Sequence, residues 1–120
     1  NWLKENYLLF LKEKEENLKK RIEDLQKEGC EDEANLGKIR LNIVEIFHKM
    51  FNISLSDNPE KLSEKYLGFF QKITKPWLIN KEKALEFGDE TEAIIEEIKI
   101  QEAEELKKQF KDCFGQIETN

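Results

Sequence analysis

The 120-residue chain is short of the residues that usually carry chemistry: it has one histidine, one methionine, two cysteines, two prolines and five glycines. A single histidine, His48, leaves no room for the Glu-x-x-His pairs of di-iron bundles or for an H-E-x-x-H zinc motif. Cys30 and Cys113 stand outside any C-x-x-C pair. Without a secretion signal they are expected to be reduced thiols in a cytoplasmic protein. Apolar runs are short, Tyr7 to Leu11 being one of the longest, which excludes a membrane-spanning helix and a signal-peptide core. Gly-rich phosphate loops, G-x-S-x-G turns and basic helices interleaved with aromatics are missing as well. The net charge is −6, and residues 1 to 60 and 61 to 120 each carry 10 basic and 13 acidic side chains. Each half therefore contributes −3, and neither is a basic arm for nucleic acid.

What is abundant points one way. Charged residues make up 38% of the chain, and eight Phe, two Trp and two Tyr supply bulky core material. Few glycines and prolines leave few places where a helix must stop, so the expectation is an all-α single domain over residues 1–120, built as a small helical bundle.

The organising stretch is Leu36 to Phe51. At about 100° per residue, Leu36, Ile39, Ile43, Val44, Ile46, Phe47, Met50 and Phe51 fall on one arc covering nearly half a helical wheel. So wide an apolar face needs at least two neighbouring helices to cover it.

Four helices are predicted, over approximately residues 2–28, 31–52, 59–74 and 77–114. On the first, Leu3, Tyr7, Phe10, Leu11, Leu18, Ile22 and Leu25 hold one face. Gly29 offers it a C-terminal cap, and the acidic run Glu31 to Glu33 suits the N-terminus of the second, making a tight antiparallel hairpin. Asn58 before Pro59 reads as a capping side chain ahead of a proline at the first helical position. Pro76 is expected to close the third helix, whose apolar face holds Leu62, Tyr66, Phe69, Phe70 and Ile73.

The remainder has two readings. Gly88 and Asp89, with Glu92 three residues on, resemble a break with a capping box. Against this, Trp77, Ala84, Gly88, Thr91, Ile95, Ile98, Leu106 and Cys113 keep one continuous phase. That continuity favours a single helix of about 57 Å, with Gly88 facing a neighbour at close approach and one end protruding or pairing with another copy.

Four features carry the functional reading. Arg40 falls inside the apolar arc of the second helix, and Glu102 does the same on the last. A lone charge in a core costs several kcal/mol, so the two are expected either to pair as a registry device or to anchor a ligand in an inter-helix pocket with Tyr66 and Trp77. Trp2 and Leu9 point away from the core face of the first helix and form a candidate interaction surface. From Glu86 to Glu105 there are nine acidic residues and one base, Lys99. This is the pattern of a solvated helix face, though it would also suit an acidic mimic of nucleic acid. His48 lies at the edge of the polar side with no marked nucleophile beside it, and Lys19, Lys20 and Arg21 are balanced by neighbouring acids.

Together these features predict a non-enzymatic helical interaction module that self-associates or binds another protein. No catalytic residue, cofactor, metal, nucleic acid or membrane is expected. The alternative is a small-molecule-binding or regulatory bundle with its pocket near Arg40 and Glu102.

Overall fold

The computed structural model describes residues 2–119. Four helices follow in order: α1 (Trp2–Lys27), α2 (Glu31–Ser54), α3 (Pro59–Glu86) and α4 (Glu90–Thr119). No strand occurs among the described residues, and none of the helices is long and apolar enough to cross a membrane.

The turns follow from local chemistry. Gly29, at φ 80°, takes the left-handed conformation that closes α1. The Cys30 N–H then donates to the Leu25 carbonyl at 2.8 Å. The acidic first turn of α2, Glu31, Asp32 and Glu33, faces the positive end of the helix dipole. At the start of α3 the Asn58 side chain accepts from the Glu60 and Lys61 N–H groups, with Pro59 in the first turn. These are the caps that the sequence predicts, and the two helices they delimit lie close to the expected bounds.

The second half of the chain departs from expectation twice. Pro76 does not end α3, which continues ten residues beyond it to Glu86. Proline removes one backbone hydrogen bond, a cost of about 3 kcal/mol in a helix interior. Contacts on both sides hold the helix through that loss: Ile73 and Trp77 pack against the core, and further on Lys81 bonds Glu97 of α4 at 2.6 Å. The predicted continuous helix over 77–114 is instead two helices joined by a turn. Gly88 sits at φ 73°, and the Asp89 side chain accepts from the Glu92 N–H at 3.1 Å while the Asp89 N–H donates to the Ala84 carbonyl at 2.8 Å, so the break is real and Asp89 caps α4.

The unbroken phase has a simple source. Ala84 and Thr91 are seven residues apart, close to two helical turns, so their spacing matches a helical pattern in the sequence, yet Ala84 is buried while Gly88 and Thr91 are exposed. Gly88 also has open space around its Cα rather than a close neighbour. The close approach occurs at Gly37 of α2, where an added Cβ would meet the Ile22 side chain of α1 at 2.9 Å.

The core forms where the two hairpins cross. α2 packs against α1, α3 and α4, as its wide apolar arc requires. Tyr7, Phe47, Phe51, Tyr66, Phe70 and Phe110 are all buried. Phe47 stacks on Phe70 at 4.1 Å between centroids, while Tyr66 meets Phe51, Phe70 and Phe110 edge-on. Edge-to-face pairs add about 0.5–1.5 kcal/mol each beyond their buried area. Away from this cluster each hairpin extends as an arm with a thinner seam, Ile22, Leu25 and Ala34 in α1–α2, and Ala84, Ala93 and Ile98 in α3–α4.

Candidate interaction surfaces

The structure brings Arg40 and Glu102 together. Arg40 Nη1 donates to Glu102 Oε2 at 3.2 Å, joining α2 to α4. Lys14 of α1 lies 3.1 Å from the other oxygen, Oε1, and bonds Glu105 at 2.7 Å. Three helices thus meet at one carboxylate. Its side chain is only 3% exposed, against 34% for that of Arg40, so the arginine reaches inward from the surface while the acid is enclosed. The carboxylate occupies the position that an anionic ligand would take on the guanidinium.

The neighbourhood is otherwise built for packing. Tyr66 bonds Tyr7 at 2.8 Å, and the Tyr7 hydroxyl donates to the Leu106 carbonyl at 3.3 Å. One proton per hydroxyl then makes Tyr66 the donor to Tyr7. Burial raises both phenols above their ordinary range, so each stays protonated. Trp77 is half-buried and carries Lys99 over its ring, 5.7 Å from the centroid, a cation–π contact within α3–α4. His48 bonds Glu15 at 2.5 Å and fastens α2 to α1. Burial also pushes the Cys113 thiol up, away from the reactive thiolate.

The acidic run on α4 is only partly a solvated face. Glu96 is buried and bonded by Lys99 at 2.9 Å, and Glu97 bonds Lys81. Among the described residues no group of three or more His, Cys, Asp or Glu side chains is placed to hold a metal ion.

Trp2 and Leu9 are exposed on α1, at 44% and 55%. A larger apolar surface lies elsewhere, on the α3–α4 arm, where sequence reasoning placed none. Leu78 and Leu85 of α3 and Ile94 of α4 are each at least half exposed, at 50%, 60% and 55%. Leu85 and Ile94, with Ala93 and Ile98, line an open groove of about 470 Å³ bordered by Lys81, Glu90, Glu97 and Gln101. Beyond it, Phe87 projects from the turn at 82% exposure.

A single continuous helix would scatter these residues around one cylinder; reversing the chain at Gly88 sets them side by side. The capping box was the signal for this surface, because accepting the break at once pairs Leu85 with Ile94 across the turn.

No known protein family matches the chain, and comparison with characterised proteins and with solved structures yields no match.

Proposed function

We propose that this protein is a non-enzymatic helical module that works by binding protein surfaces, and that it self-associates through the outer face of the α3–α4 arm. One observation carries the reading: large aliphatic side chains from two helices converge on an open groove instead of the core. Exposed apolar side chains are ordinary when scattered singly, whereas a contiguous set rimmed by charge is the mark of an interaction site. Trp2 and Leu9 make a smaller surface of two residues on one helix, which suits a secondary contact.

The rest of the molecule favours the same reading. Arg40 and Lys14 are engaged by carboxylates, the buried tyrosines satisfy one another, and His48 is held by Glu15. These side chains, singled out for their chemistry, are thus engaged within the fold.

The test is size-exclusion chromatography with light scattering on the wild-type chain and on Leu85→Glu. Wild type is expected to run as an oligomer. Placing a charge in the groove should weaken association at least tenfold, since burying a leucine is worth about 1.5–3 kcal/mol. Trp2→Ala with Leu9→Ser should leave the oligomer intact. A wild-type chain that stays monomeric at every attainable concentration would remove the self-association reading.

A further inference from the structure

The charges around the groove identify how a second copy sits on it. Resting on the self-association reading, we propose that two protomers pair with their two-fold axis running along the arms, so that α3 of each lies against α4 of the other in a four-helix arrangement.

The groove walls differ in sign. Of the residues that line it, α3 contributes Lys81 as its one charge, and α4 contributes Glu90 and Glu97. A two-fold axis can relate two such hairpins face to face in two ways. An axis across the arms sets α4 on α4 and α3 on α3, opposing carboxylate to carboxylate and lysine to lysine. An axis along the arms sets each basic wall on an acidic one. The Lys81–Glu97 bond at 2.6 Å fixes these residues at the same height on the arm. With the axis along the arm that height is kept, and Lys81 of one protomer comes level with the partner's Glu97. Four charges then alternate in sign around the middle of the interface, with Leu85 and Ile94 beside them closing the apolar seam.

Like charges placed directly opposite disfavour a pairing, and complementary rows fix its register more than its strength. The apolar groove supplies the affinity, and the charges choose the arrangement. Neighbouring helices in this pairing all run antiparallel, as in up-and-down bundles.

The experiment uses the double exchange Lys81→Glu with Glu97→Lys, which keeps the bond inside each arm and so the fold. The exchanged chain and differently tagged wild type are mixed, equilibrated and sorted into homodimers and mixed dimers by native mass spectrometry. Random pairing makes one half of the dimers mixed. With the axis along the arms, a mixed dimer sets lysine on lysine and glutamate on glutamate, so mixed dimers should fall well below one half while both homodimers persist. With the axis across the arms, the exchange turns repulsion into attraction, and mixed dimers would dominate. A mixed fraction at or above one half overturns the arrangement while leaving self-association standing. If both chains are monomeric at every concentration, self-association fails and the arrangement fails with it.

Discussion

At the scale of single residues, the most consequential contact is the enclosed carboxylate of Glu102, shared by Arg40 and Lys14 across three helices. Removing one partner from a buried ion pair leaves an uncompensated charge, whereas removing both can be neutral. Because Arg40 is one-third exposed and Lys14 remains, Arg40→Met should cost about 1–3 kcal/mol, less than a fully enclosed pair. Arg40→Met with Glu102→Met should recover most of that loss in urea denaturation. If the double variant loses the sum of the two single losses, the pair is not acting as a unit.

A second residue-scale effect is set by pH. The hydrogen bond to Glu96 raises the Glu92 carboxyl above its ordinary value of 4.5, with lesser contributions from desolvation and from the charges of Glu96 and Asp89, which Lys99 partly offsets. A raised acid favours the folded state while protonated. Its contribution is therefore complete below pH 4.5 and fades as pH rises through the raised value. Glu92→Gln keeps a neutral donor at that place, so it should be more stable than wild type at pH 7 and equal to it near pH 4. The Lys81 hydrogen bond lowers Glu97, and its contribution is lost as pH falls. That acid limb should persist in the variant, as thermal melts across pH would record.

At the scale of elements, legibility depended on whether a signal was local. Gly29, the acidic start of α2 and the Asn58–Pro59 cap act on backbone groups within a few residues, so they could be read directly, and the bounds they imply agree with the structure. The wide arc of α2 was equally readable, since periodicity alone states how much surface must be covered. Pro76 departs from expectation because tertiary contacts decide it, whereas the break at Gly88 carries a local signal, Asp89 capping the Glu92 N–H, against which the continuous phase weighed. A proline stops a helix unless packing on either side holds it, and here Ile73, Trp77 and Lys81 provide that packing. The apolar phase that runs through Gly88 in the sequence is a coincidence of spacing, since Gly88 and Thr91 are both exposed. The groove, which depends on the reversal at Gly88, was hidden along with it. The Arg40–Glu102 pair was anticipated as one of two options because each residue interrupts an apolar stripe, but the third partner, Lys14, lies on a polar face and gave no sign.

This account of α3 makes a direct prediction. Pro76 is exposed, so Pro76→Ala restores a backbone donor without disturbing the core and should raise stability by about 1–3 kcal/mol with helicity by circular dichroism unchanged or slightly higher. A loss of stability instead would mean that the fold depends on the proline's fixed backbone geometry. Gly88→Ala should move the other way by about 1 kcal/mol, since its φ of 73° suits glycine and the space around it is open.

At the scale of the whole molecule, the chain spends most of its aromatic residues on one crossing point and leaves its arms thin. The principal extents are 46, 36 and 23 Å, a flat shape whose longest dimension matches α4 at about 45 Å. Along the α3–α4 arm, Leu78, Leu85 and Ile94 remain at the surface because two helices alone cannot enclose a face on each side. In the proposed dimer a second copy would supply the missing layer. Coupling of folding to association follows, because a partner that binds only the folded state adds stability that grows with its concentration. The wild-type melting temperature should therefore rise with protein concentration, by a few degrees over a hundredfold range, while for Leu85→Glu the rise should begin only at concentrations at least tenfold higher. Arg40→Met acts at the edge of the core, on the carboxylate of Glu102, rather than on the groove. It should lower the melting temperature at every concentration while leaving the concentration slope intact, because distant, independent sites add. If Arg40→Met abolished that slope, the core and the arm would be one cooperative unit, and the division of labour between a packed centre and a binding arm would not hold.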